Sequence, residues 1–350
     1  MSLVIFITSL CAAIAIGVPI AYGLVLCGVA LMFYMNVFSA QIVSQNLILG
    51  IDDFLLLAIP FFILAGEIMN EGGLSRRIVN VAISFLGHLK GGLGYVAIMS
   101  SLVLASLSGS AIADSAALAA ILIPLMRQAR YNDGLSVGLM AAGGVTAPVI
   151  PPSIAFVVYG SIANVSIKEL FLAGIVPGVL MALSLVVAWA VTMRKQSPRP
   201  LERAPWSERR KAVVQGIPAL LLPVIVVGGL RNGWFTPTEA AVIAVALSVF
   251  VGSFVYRELT LVKLYQCFVN AAKISAAVMF LIGASGVSAW LITTANLPQE
   301  MIQLLDPILD QKLILMVVRK RYEHYTDKSV DVCPALMAWG FKTSALRGVA

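Results

Sequence analysis

Of the 350 residues, 60% are hydrophobic and only 12% are charged, and the mean hydropathy is +0.95. Soluble globular chains carry roughly 45–50% apolar and ~25% charged residues, so a water-soluble fold could not hide this much apolar surface, whereas a bilayer can. The net charge of +7 does not signal nucleic-acid binding. Its largest cluster is confined to one polar segment: Arg194, Lys195, Arg199, Arg203, Arg209, Arg210 and Lys211, against Glu202 and Glu208.

The first apolar stretch, residues 3–38, is interrupted at Gly17-Val18-Pro19, which allows two short spans or one long kinked span. It lacks a basic leader and is too long for a signal-peptide core, so it is expected to be retained in the membrane. Residues 39–53 are mixed and suit an interfacial helix. A span is expected over 54–70, then a second interfacial helix over 74–90, which carries Arg76, Arg77, His88 and Lys90.

Residues 91–127 carry the most information. Two apolar runs, 93–107 and 111–126, flank Ser108-Gly109-Ser110. A run of ~15 residues reaches about 23 Å at ~1.5 Å per residue, short of the ~20 residues a crossing needs. Two short helices meeting at small polar residues predict a re-entrant hairpin, whose tip must lie in protein or in a water-filled cavity.

Residues 134–164 are interrupted by Gly143-Gly144-Val145-Thr146-Ala147-Pro148-Val149-Ile150-Pro151-Pro152-Ser153. Three prolines and two glycines cannot continue a helix, so a broken helix is predicted. Spans follow at 169–193, 213–230, 237–256 and 269–294. Thr236-Pro237-Thr238-Glu239 reads as a helix start, with Thr236 as N-cap and Glu239 closing a capping box. The basic segment 195–211 is expected to be a cytoplasmic loop, because short loops rich in Lys and Arg stay inside; lipid headgroup binding by that loop gives the same topology.

Breaking a helix inside a membrane exposes carbonyls that can coordinate Na⁺ and amides that attract anions, and secondary transporters use such breaks near the midplane. Ser108 and Ser110 add hydroxyl oxygens suited to a hard cation, although both could simply cap helices. Asp114, an acid in an apolar run, is a functional candidate; the alternative is stabilisation of the positive end of its helix. Pro151-Pro152 could be only a kink. Glu67 is expected to be interfacial or structural, and Lys273, near a span start, to snorkel. Gly91-Gly92-Leu93-Gly94 has no strand before it and does not read as a phosphate loop. Cys11, Cys27, Cys267 and Cys333 form no CxxC pair, and with only His88 and His324 a zinc site or disulfide framework is not expected.

At four motifs the sequence resembles the TRAP transporter large permease family: Ala58-Ile59-Pro60-Phe61-Phe62-Ile63-Leu64-Ala65-Gly66-Glu67-Ile68-Met69, Leu107-Ser108-Gly109-Ser110-Ala111-Ile112-Ala113-Asp114, Ile150-Pro151-Pro152-Ser153 and Gly233-Trp234-Phe235-Thr236-Pro237-Thr238-Glu239-Ala240. The similarity runs over about residues 1–318 and is nearest to the 2,3-diketo-L-gulonate branch.

The resemblance implies an all-α integral membrane protein of the bacterial inner membrane, an elevator-type bundle built from inverted repeats with a hairpin in each. It implies Na⁺-coupled uptake of small organic acids such as dicarboxylates and sugar acids, with a small membrane subunit and a periplasmic solute-binding protein as partners and no cofactor. The family's first Na⁺ site carries over to Ser108, Gly109, Ser110, Gly143, Thr146 and Pro148. Asp114, Pro151, Pro152 and Ser153 are the candidates for substrate and transport. The expected organisation is N-terminal spans over 1–90, hairpin and broken helix over 91–165, a span and the basic loop over 166–211, the start of a second repeat over 212–318, and a polar tail over 319–350.

The tail departs from the family pattern. Aligning the repeats puts a second hairpin tip near residue 332 and a second Pro-Pro beyond residue 350. After Leu313-Ile314-Leu315-Met316-Val317-Val318 stands Arg319-Lys320-Arg321, and residues 319–350 hold nine charged residues against 32 in residues 1–318. A frameshifted or truncated second repeat is therefore expected, and with it an inactive fragment as the alternative to a working permease. A membrane enzyme is the remote third reading, since no cluster of His, Cys or acids gathers at one membrane depth.

Overall fold

The computed structural model describes residues 2–194 and 199–300, apart from the side chains of Leu107, Ser108 and Ile112. The expectations for the 319–350 tail, the second hairpin tip, Cys333 and His324 lie outside the described residues. Those residues form helices and turns without a strand. Five helices among them are long and apolar enough to cross a membrane: Phe54–Glu71, Ile167–Arg194, Trp206–Asn232, Pro237–Val255 and Leu261–Thr294.

The chain divides into two compact units. Among the described residues, the first takes 2–52 and 278–300. Its helices are α1 (Ser2–Ala15), α2 (Ile20–Tyr34), α3 (Ala40–Leu49) and the second half of α13 (Leu261–Thr294). Gly17, at φ 87°, and Pro19 separate α1 from α2, so the N-terminal stretch is two short helices. Leu31, Met32, Val287, Leu291 and Leu297 form its core. Small residues let the helices approach closely, as in membrane packing generally: a Cβ on Gly28 would lie 2.9 Å from Leu291 Cδ1, and one on Gly50 would lie 3.2 Å from Gly283 Cα. The Ser288 hydroxyl donates to the Leu24 carbonyl at 3.2 Å.

The second unit, residues 53–277, carries the motifs. Asp53 caps a short 3₁₀ turn, Phe54–Leu57, accepting from the Leu55 amide at 2.9 Å, and α4 (Ala58–Glu71) follows. Helix α5 (Leu74–Leu86) is amphipathic, burying Leu74, Ile78 and Val79 while Arg76 and Asn80 stay exposed. Then come α6 (Gly92–Ser108), α7 (Ala111–Gln128), α8 (Asp133–Gly144), α9 (Ile154–Ala163), α10 (Ile167–Arg194), α11 (Trp206–Asn232) and α12 (Pro237–Phe250), which runs into a π-helical turn over Val251–Val255. The capping box at Thr236 is formed, with the Thr236 hydroxyl and amide both engaged by Glu239.

Two expectations need correction. The basic segment is not loop throughout: Trp206–Lys211 is the first turn and a half of α11, because Glu208 and the basic residues after it are good helix formers at a solvated end. The helix that carries Lys273 begins at Leu261, eight residues before the expected start of that span at 269. Lys263, Gln266 and Asn270 lower the local hydropathy and hide that start. Glu67 sits inside α4 within hydrogen-bonding reach of Asn270, which fits the structural role expected of it.

The Gly91–Gly94 cluster has a packing role. Gly91 is left-handed at φ 75° and its carbonyl accepts from Trp189 Nε1 at 2.9 Å. A Cβ on Gly94 would run into the Trp189 indole, which stacks on Tyr131 at 6.1 Å. The glycines thus let α10 press its one buried tryptophan onto the start of the hairpin.

Candidate functional site

The hairpin closes at Gly109. Helix α6 ends there because Gly109 adopts φ 60°, a conformation glycine takes without a Cβ penalty. Ser110 then caps α7, its hydroxyl accepting from the Ala113 amide at 3.4 Å. Asp114 lies in the first turn of α7 and is 2% exposed, so the acid that stood out in the sequence is buried beside the tip.

The broken helix supplies the facing wall. Helix α8 ends at Gly144, and turns carry the chain from Val145 to Ser153. The Thr146 hydroxyl donates to the Gly143 carbonyl at 2.7 Å, and the Ser153 hydroxyl donates to the Pro148 carbonyl at 2.5 Å. Ser153 also caps α9, accepting from the Phe156 amide at 3.4 Å. Thr146, Pro151, Pro152 and Ser153 are all buried.

Tip and break touch. A Cβ on Gly109 would lie 2.8 Å from the Pro152 carbonyl oxygen and 3.2 Å from the Ile154 amide nitrogen. Ala105, Ala147 and Ile150 form a small apolar cluster beneath the contact, with Leu102 and Ala111 against it. The structure therefore brings Gly109 against Pro152 and Ser153, with Ser110 and Asp114 following on α7, and holds Gly143, Thr146 and Pro148 in the same turn region.

Four helix ends meet here. Helices α6 and α8 present their carbonyl ends, and α7 and α9 present their amide ends. The first pair suits a cation and the second an anion.

Sequence reasoning missed two serines at this contact. A Cβ on Gly143 would lie 2.5 Å from Ser101 Oγ, and one on Gly144 would collide with Ser115 Oγ. Ser115 donates to the Met140 carbonyl at 3.4 Å. Ser101 is 3% exposed and its hydroxyl finds no hydrogen-bond partner among the described residues. No local signal marked them, because Ser101 lies inside α6 and Ser115 inside α7, on opposite arms of the hairpin.

The sequence matches the family of the tripartite ATP-independent periplasmic transporter, DctM component, over residues 7–319. It is 48% identical over 318 residues to the 2,3-diketo-L-gulonate TRAP transporter large permease protein YiaN of Escherichia coli, covering 91% of this chain and 75% of that one. It is 37% identical over 302 residues to the sialic acid TRAP transporter large permease protein SiaM of Vibrio cholerae, covering 86% and 71%. It is 35% identical over 305 residues to the C4-dicarboxylate TRAP transporter large permease protein DctM of the same organism, covering 81% and 67%. These relatives are transport permeases and not enzymes, and the four motifs, the helical spans and the hairpin sit within the matched region. The chain belongs to the DctM component family of tripartite ATP-independent periplasmic transporters and is a large permease of that kind, an integral membrane protein.

Proposed function

We propose that this permease takes up a small organic acid in symport with Na⁺, in the bacterial inner membrane, using the hairpin tip and the broken helix as its ion and substrate site. The observation that carries the reading is the contact of Gly109 with the Pro152–Ile154 segment, which gathers four helix ends at one point. Carbonyls at the ends of α6 and α8, with the hydroxyls of Ser108, Ser110 and Thr146, are the oxygen donors that a hard cation such as Na⁺ accepts. Thr146 keeps acceptor capacity beyond the hydrogen bond it donates, because a hydroxyl oxygen carries two lone pairs. Gly109, Gly143 and Pro148 contribute main-chain groups.

The amide ends of α7 and α9, with Ser153, Pro151 and Pro152 at the second of them, form the anion side, where a carboxylate would bind next to the cation. Asp114 tunes the field at the start of α7. Bound Na⁺ would offset the substrate's charge, which couples the two. Residues 91–165 then act as the moving part.

The small membrane subunit and a periplasmic binding protein act with this chain, the binding protein making the first selection among acids. The 48% identity to a 2,3-diketo-L-gulonate permease favours a sugar acid over a C4-dicarboxylate. A second reading, an inactive form of such a permease, is favoured by the family match ending at residue 319, where the sequence turns polar. The test is uptake of labelled sugar acid by cells producing this chain with the partner subunits of its relative. Uptake that requires Na⁺ supports transport. Absence of uptake alongside a working relative supports the second reading.

A further inference from the structure

The cations that open α11 take no part in the transport site. A cleft of about 150 Å³ lies between α5 and the first turns of α11, lined by Arg77, Asn80, Glu208, Lys211, Ala212 and Gln215. Positions 208, 211, 212 and 215 form one helical stripe, and Arg77 and Asn80 lie one turn apart on α5. Glu258 holds Arg77 from one side at 2.7 Å, and the Arg77 guanidinium lies 3.8 Å over the Tyr256 ring.

One residue along α11, Arg209 is 9% exposed with its guanidinium 5.7 Å over Phe85. Its Nε and Nη2 are buried and have no hydrogen-bond partner among the described residues. A buried cation without a counter-charge is costly, and its field adds to that of the cleft. Arg77 and Lys211 balance Glu208 and Glu258, so Arg209 behind the cleft leaves the site with one net positive charge. Asn80 and Gln215 offer amide donors. Val214, one turn beyond Lys211 on α11, is 60% exposed, and Trp206 at the start of the helix is 72% exposed. An exposed tryptophan at a helix end marks the level of the lipid headgroups.

We propose that this cleft holds the phosphate of an anionic phospholipid headgroup, whose acyl chains run past Val214, the exposed apolar residue one turn beyond Lys211. Lys211 and Arg77 reach the phosphate oxygens, Asn80 and Gln215 donate to them, and Arg209 supplies charge from behind. Basic pockets between membrane helices on the cytoplasmic side bind anionic lipids by this chemistry. The inference rests on the membrane assignment and not on the transport site.

The test uses the full chain in nanodiscs of phosphatidylcholine mixed with phosphatidylglycerol, with the lipids retained on release identified by native mass spectrometry. Wild type should retain phosphatidylglycerol preferentially. Lys211→Gln should lower that preference about fivefold, the effect of one cation near an anionic surface, and Lys211→Arg should keep it. Arg203→Gln, in the same basic segment but outside the cleft, should leave it unchanged. No preference in folded wild type, or an equal loss in Arg203→Gln, would overturn the site. Displacement of the lipid by inorganic phosphate would overturn the lipid in favour of a soluble anion. No substrate enters the assay, so its outcome is independent of transport.

Discussion

Replacing Gly109 by alanine perturbs the closest approach of the hairpin tip to the Pro152–Ile154 segment among the described residues. Two costs apply. The backbone sits at φ 60°, where an L-residue with a Cβ loses about 1–2 kcal/mol. The new Cβ would also stand 2.8 Å from the Pro152 oxygen, 0.6 Å inside the 3.4 Å at which ordinary contact begins. Relieving that overlap against backbone costs a further ~1–3 kcal/mol. If the tip slides away freely, only the first cost remains, so the expected loss is about 1–5 kcal/mol.

Gly138→Ala is the matched control. Gly138 lies inside α8 with nothing within 4 Å of its would-be Cβ, and alanine there should gain roughly 0.5–1 kcal/mol. The assay is unfolding of the detergent-purified variants side by side. Gly109→Ala unfolding at or above the wild-type midpoint would refute the packing of the tip on Pro152–Ile154.

Trp189→Phe should cost about 1–3 kcal/mol, because the Gly91 carbonyl loses a buried donor and the space over Gly94 is left part-filled; unfolding midpoints check this. Burial raises the phenol pKa of Tyr131 above its usual value, so the folded chain holds that proton more tightly than the unfolded one. That contribution is whole below the unfolded phenol pKa of about 10 and is lost as the pH rises through the folded value. Tyr131→Phe should therefore lose less stability than wild type on raising the pH above about 10, measured as the difference between the two midpoints. Topology is tested by Ser207→Cys in a chain with Cys11→Ala and Cys333→Ala: an impermeant thiol reagent should label it in inverted membrane vesicles and not in intact cells, and the reverse would place the basic segment outside.

The breaks in the helices were legible because the residues that make them are local. Ser108-Gly109-Ser110 and Pro151-Pro152-Ser153 announce their own turns, and Thr236-Pro237-Thr238-Glu239 announces its own cap. Element edges were less legible where polar residues ride on a helix: Arg209–Lys211 read as loop, and Lys263, Gln266 and Asn270 concealed the start of α13. Close packing across the sequence was not legible at all. Trp189 seats on Gly91 and Gly94 nearly a hundred residues away, and Ser101 meets Gly143, because glycine's lack of a side chain says that something can approach without saying what. The carrying over of an ion site onto Ser108, Gly109, Ser110, Gly143, Thr146 and Pro148 came from the family resemblance, and the geometry adds that the tip and the break are in contact.

The most direct test of the proposed ion site is the response of the purified chain to Na⁺. A ligand that binds only the folded state raises its stability with concentration, so the unfolding midpoint should rise saturably with Na⁺ and not with equimolar K⁺. Removing one coordinating hydroxyl, in Ser110→Ala or in Thr146→Val, should weaken binding by ~1–3 kcal/mol, a shift of roughly tenfold or more in the Na⁺ needed for half the effect. Identical midpoints in Na⁺ and K⁺ for wild type, or a Na⁺ response untouched in the double variant, would contradict the account.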